Sequence, residues 1–190
     1  MHTIKRIDID PSLEFLRATI TTWVDRLGSV SKIFPQCESK YYLEPTLVGL
    51  LAGSAWANDL PAITEKKIKR IANGSPEKSG RLDLLIQKGE LCIALEAKLI
   101  WDCELSVDHV RESLAEACSE VKSISDVNAQ ILLGGVFFVP WWNNGDQKRS
   151  LKIRTVDRYD DLKADVKACY YDPAIEYPGA IFAAKVAGSD

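Results

Sequence analysis

The stretch Arg81-Leu82-Asp83-Leu84-Leu85-Ile86-Gln87-Lys88-Gly89-Glu90-Leu91-Cys92-Ile93-Ala94-Leu95-Glu96-Ala97-Lys98-Leu99-Ile100-Trp101 decides the fold. Two apolar runs, Arg81 to Ile86 and Leu91 to Trp101, flank a short polar link, which is the pattern of a β-hairpin. Toward the N-terminus, Asp10-Pro11 with Leu13, Leu16, Ile20, Trp23, Val24 and Leu27 predicts a capped helix ending at Gly28. Leu47 to Trp56, following Glu44-Pro45, predicts a second helix; proline is tolerated only in a first turn, so Glu44 should sit at or just before its start. The basic segment Lys66-Lys67-Ile68-Lys69-Arg70 then runs into a turn at Asn73-Gly74-Ser75-Pro76. Toward the C-terminus, Val110, Leu114, Ala117, Val121 and Ile124 predict a helix. Ile131 to Val139, apolar on both faces, predicts a strand inside a sheet, ending at Pro140-Trp141-Trp142. Leu151 to Val156 and Ala180 to Val186 read as further strands, and Tyr159 to Cys169 as a polar helical stretch. With no internal repeat and no linker, the order is that of one α/β domain with a mixed central sheet flanked by helices.

Composition bounds the chemistry. The 190 residues are 46% hydrophobic and 27% charged, the balance of an ordinary globular chain. With Lys+Arg 24 against Asp+Glu 27 the net charge is -3, so any phosphate binding must be local rather than driven by a global positive field. That charge is also compatible with a homo-oligomer or a larger complex. Five cysteines without a Cys-x-x-Cys pair point to a reducing compartment, and only two histidines leave little for a structural zinc site. No run of about 18 apolar residues and no targeting signal is found, which predicts a cytoplasmic protein that does not enter the membrane. Phosphate-binding loops, dinucleotide fingerprints and the hydrolase nucleophile elbow are all missing.

Glu-x-Lys occurs four times, at Glu38, Glu65, Glu96 and Glu120. Three of these fall in loop or solvent-facing helical contexts, but Glu96 and Lys98 interrupt a strand otherwise free of charge. Two residues apart on a strand, they project from one side. Desolvating such ions costs several kcal/mol each unless they are paired or bound to metal. Asp83, the only charge between Leu82 and Ile86, lies thirteen residues before Glu96, close enough for the hairpin to bring the two together. Two converging carboxylates repel, and a cation between them is the natural remedy. Oxygen ligands completed by a carbonyl and water suit Mg²⁺ or Mn²⁺. A neighbouring lysine can then orient or deprotonate an attacking water.

The block Ser79-Gly80-Arg81-Leu82-Asp83, followed by Ile93-Ala94-Leu95-Glu96-Ala97-Lys98, resembles the active-site hairpin of the PD-(D/E)xK nuclease superfamily, with Leu82 where many members have proline. The resemblance implies a restriction-endonuclease-like core over residues 41–142, an N-terminal helical extension over 1–40, and completion of the fold by 143–190. It implies Mg²⁺-dependent phosphodiester hydrolysis, with nucleic acid as partner and DNA ahead of RNA. Asp83, Glu96 and the Ala97 carbonyl would hold the metal, helped by Glu44 or Glu38, and Lys98 would position the water. Glu44 reads equally as a helix N-terminal acid stabilised by the macrodipole. The alternative function is a non-catalytic nucleic-acid-binding or assembly module that keeps the fold. Lys66, Lys69, Arg81, Lys152 and Arg154 are candidate phosphate contacts; Trp141 and Trp142 could stack on bases, Trp142 being the candidate contact, with one of the two reading alternatively as a core anchor at the strand end. The basic segment 66–70 reads alternatively as a solvated helix face, and Lys152 and Arg154 as edge-strand protection. His109, Glu112 and Glu116 share a helix face near Lys98, as surface residues or as an outer shell of the site.

Overall fold

The computed structural model describes residues 3–33, 43–71, 77–102, 105–140, 158–172 and 179–188. Seven strands are described: β1 (Ile4–Ile9), β2 (Ala62–Arg70), β3 (Lys78–Lys88), β4 (Leu91–Asp102), β5 (Ile131–Pro140), β6 (Val166–Tyr171) and β7 (Gly179–Val186). They form one mixed sheet in the order β1-β6-β7-β5-β4-β3-β2, in which only the β4–β5 pairing is parallel. Helices α1 (Arg17–Ile33) and α2 (Glu44–Trp56) cover one face and α3 (Val107–Lys122) the other. This is a mixed α/β architecture. Among the described residues no helix is long and apolar enough to cross a membrane.

The expected hairpin is β3–β4, and the expected mid-sheet strand is β5, buried along nearly its whole length between β4 and β7. Asp10 caps the first helical segment by accepting from the Ser12 amide at 2.9 Å, and a 3-10 turn over Pro11–Leu16 leads into α1. All six apolar positions read for that helix are buried. The helix does not stop at Gly28. A Cβ there would lie 2.7 Å from the Tyr170 ring, so this glycine serves close packing of α1 on β6 rather than termination.

Three further expectations are corrected. The N-terminal segment is not wholly helical, because Ile4–Ile9 forms edge strand β1 against β6. The basic segment 66–70 is not a helix face but part of β2, the opposite edge strand. Tyr159 to Cys169 is not a helix: its first part is a turn, and Val166–Tyr171 is buried on both faces as β6 between β1 and β7. The polar residues near 160 misled the periodicity, whereas the apolar run at its end answers to burial from two sides. The strand expected over 151–156 lies outside the described residues, as do Glu38, Trp141, Trp142, Lys152 and Arg154.

The sheet forks in the middle of β3. The β3–β4 ladder ends at Leu84 opposite Leu95; beyond it, β3 continues with β2 from Leu82 to Lys78, and β4 continues with β5 from Glu96 onward. The β2–β3 ladder is also interrupted at one place, where Glu65 stands across from Asp83 with φ 55°. On either side of that break the pleat changes phase. Leu84 joins the core under α1 and α2, while Leu82, only two residues away, packs with Ile68, Ala94 and Val121 under α3. Irregularities of this kind re-aim side chains, and here the re-aimed residue is Asp83.

Candidate active site

Asp83 and Glu96 stand at the crotch of the fork. Where the backbone ladder has run out, the Asp83 side chain takes its place, accepting from the Ala97 amide at 2.7 Å. The N–H and C=O of one strand residue leave the same edge, so the Ala97 carbonyl is also on the β3 side of β4. Glu96 is 3% exposed and shares a hydrogen bond with Asp83. Burial, and next the Asp83 charge, push the Glu96 pKa from 4.5 up to about 8. The Asp83 carboxyl is raised as well, by burial, although the Ala97 amide and Glu96 both oppose the rise. Both shifts favour the protonated form of Glu96, the form that can donate to Asp83.

Glu44 begins α2, half-buried, with its carboxyl pushed up by burial and then by the charge of Asp83. The Asp83 charge makes the ionised form of Glu44 less favourable, so the two carboxyls are electrostatically coupled. Glu65, paired with Arg81 at 3.0 Å, is a further acid felt by both Asp83 and Glu44. The sequence reading placed Glu65 in a polar context and gave it no role; its proximity to Asp83 arises from a cross-strand pairing.

Lys98 lies on the α3 face of β4. Its ammonium meets Glu120 at 2.5 Å and Glu116 at 3.1 Å. Burial works against its charge, but these two carboxylates outweigh burial and raise its pKa above the ordinary lysine value. Lys98 is therefore held as a cation in this arrangement, the form suited to orienting or stabilising rather than to abstracting a proton. Of the residues on the outer face of α3, Glu116 reaches the site, while His109 and Glu112 are exposed. Glu120, from a Glu-x-Lys that looks like ordinary helix surface, is the closer partner of Lys98.

Arg70, at the end of β2, was grouped in the sequence with the basic segment, yet it reaches the core of the site. Its Nη2 donates to Glu96 Oε1 and, at 2.9 Å, to the Arg81 carbonyl; Nη1 donates to the Glu120 carbonyl at 2.9 Å. Among the candidate phosphate contacts, Lys69 is held by Glu77 at 3.0 Å and Arg81 by Glu65, whereas Lys66 has no ion-pair partner among the described residues.

Two adjacent carboxyls whose ionisation is disfavoured are a chemically apt donor set for Mg²⁺, which is usually held by one or two carboxylates while keeping several waters. Among the described residues no group of three or more His, Cys, Asp or Glu side chains gathers closely enough to hold a metal, so Glu44 stands outside direct convergence with the pair. No family model, curated protein or solved structure matches the chain.

Proposed function

We propose that this protein is a Mg²⁺- or Mn²⁺-dependent nuclease of the PD-(D/E)xK type, hydrolysing phosphodiester bonds in nucleic acid, with DNA as the first substrate to test. The observation that carries the reading is the pair of a half-buried Asp83 and a buried Glu96 side by side at a fork in the sheet, both with raised carboxyl pKa values, with a cationic Lys98 two residues along β4. A structural ion-pair network balances its charges; this pair keeps a surplus acid whose ionisation is disfavoured. A divalent cation bound by Asp83 and Glu96, with the Ala97 carbonyl, would polarise the phosphoryl oxygen and lower the pKa of a bound water. Glu44, at the start of α2 and electrostatically coupled to Asp83, would bind outer water. Lys98, held by Glu116 and Glu120, orients the attacking water and stabilises charge as it develops on the phosphate.

The test is a metal-supplemented cleavage assay over single-stranded, double-stranded and branched DNA and RNA. Mg²⁺-dependent cleavage by the parent is expected, with Lys98→Ala reduced at least 100-fold while its fold and Mn²⁺ affinity are retained. A parent that binds no divalent cation and cuts nothing would leave the non-catalytic module as the better reading.

A further inference from the structure

Arg70 is built into the site more firmly than a surface cation requires. It is the last residue of edge strand β2, and its side chain runs across β3 over Gly80, where a Cβ would come 2.8 Å from Nε and 3.3 Å from Cδ. The missing side chain at Gly80 is therefore the slot that lets the guanidinium through. Three acceptors from three elements receive it: Glu96 on β4, the Arg81 carbonyl on β3 and the Glu120 carbonyl near the end of α3. The backbone at both ends is fixed too, since Ile71 donates to the Ser123 carbonyl at 2.8 Å and Ser125 to the Lys69 carbonyl at 3.0 Å. A planar fork can meet acceptors in three directions at once, whereas a lysine ammonium on a flexible stem cannot match that geometry.

We propose that Arg70 is a positioning residue of the metal site: it clamps Glu96 through Oε1, leaves Oε2 for the metal, and ties that carboxylate to the helix whose Glu120 holds Lys98. The inference rests on the nuclease reading and adds to it a residue from outside the hairpin. Arg70 touches neither metal nor phosphate; it acts through Glu96 and through the position of α3. Outer partners that orient a metal-binding carboxylate typically govern metal affinity by 10- to 100-fold.

The experiment titrates Mn²⁺ into the parent, Arg70→Lys, Arg70→Ala and Gly80→Ala, alongside cleavage kinetics on the best substrate of the panel and thermal melting. Arg70→Lys and Arg70→Ala are expected to bind Mn²⁺ 10- to 100-fold more weakly and to lose kcat with KM for nucleic acid unchanged. Gly80→Ala, which keeps the charge but obstructs its path, should shift Mn²⁺ affinity in the same direction. Millimolar guanidinium should restore Mn²⁺ binding to Arg70→Ala, while sodium chloride at equal ionic strength should not. Parent-like Mn²⁺ affinity in Arg70→Lys and Gly80→Ala, accompanied only by lower melting temperatures, would reduce Arg70 to a structural pin and overturn the proposal. A parent that binds Mn²⁺ and cleaves while the variants match it sinks this inference alone; a parent that does neither sinks the nuclease reading and this inference together.

Discussion

Glu96 links the chemistry of the fork to the stability of the chain. In the absence of a cation its pKa rises from 4.5 to about 8, so below 4.5 both folded and unfolded chains carry the proton and the residue has no effect. Between those values the folded chain keeps a proton that the unfolded chain releases, and stability falls as pH rises, by at most about 1.4 kcal/mol per pH unit. Above about 8 the loss is complete and constant. Metal-free melting curves from pH 5 to 8 should therefore show the parent losing stability relative to Glu96→Gln, and saturating Mg²⁺ should remove the difference. A parent and variant that run parallel across that range would mean that Glu96 is ionised and structurally satisfied by Arg70. Asp83, Glu96 and Lys98 were legible in the sequence because charge inside an apolar strand is anomalous wherever it occurs. Arg70 and Glu120 were not, since each sits among other charged residues and acquires its role only when β2 and α3 meet across 50 residues of chain.

At the scale of elements, the site depends on how closely α3 lies on the sheet. Gly134 on β5 makes that approach feasible: a Cβ there would fall 2.4 Å from the Cys118 amide nitrogen, in the backbone of α3 itself. Gly134→Ala must push the helix away, with an expected cost of about 1–3 kcal/mol in denaturant unfolding. Because α3 carries Glu116 and Glu120, cleavage should fall along with stability, more than stability alone would explain at temperatures where the variant remains folded. Gly49, on the exposed side of α2, meets nothing within 4 Å, and Gly49→Ala should add about 0.5–1 kcal/mol of stability without altering cleavage. A loss of stability there would mean that α2 carries a constraint its surroundings do not reveal. The hairpin, α2, α3 and β5 could be read from periodicity and length, as could the first helix, because each has a consistent apolar pattern. β1 and the β2 edge could not: alternation is weak in Ile4–Ile9, and β2 is dominated by lysines whose pattern suits a helix surface as well as a strand. The break at Glu65 and Asp83 was equally hidden, since nothing in either residue type announces a change of phase.

The whole molecule presents two basic edges, and they differ in what neutralises them. On β1, Lys5 meets Asp25 at 2.5 Å and Arg6 meets Asp160 at 3.0 Å, so that edge carries paired charge. On β2, beside the fork, Lys66 and Lys67 have no ion-pair partner among the described residues, and they project to opposite faces of the strand. A chain of net charge -3 that binds nucleic acid must do so through a local surplus of this kind. Each phosphate neutralised on duplex DNA releases counterions worth about 0.9 in the slope of log K against log salt. Measured in an Asp83→Asn background, which allows binding to be followed without cleavage, the double variant Lys66→Glu with Lys67→Glu should weaken DNA binding and flatten that slope by roughly one to two. Lys5→Glu with Arg6→Glu removes the same formal charge from the far edge and should leave the slope unchanged, because those cations are already spent on carboxylates. Equal flattening from both pairs would show that binding follows overall charge, and an unchanged slope from the β2 pair would return its lysines to the role of protecting an exposed edge against pairing with other strands.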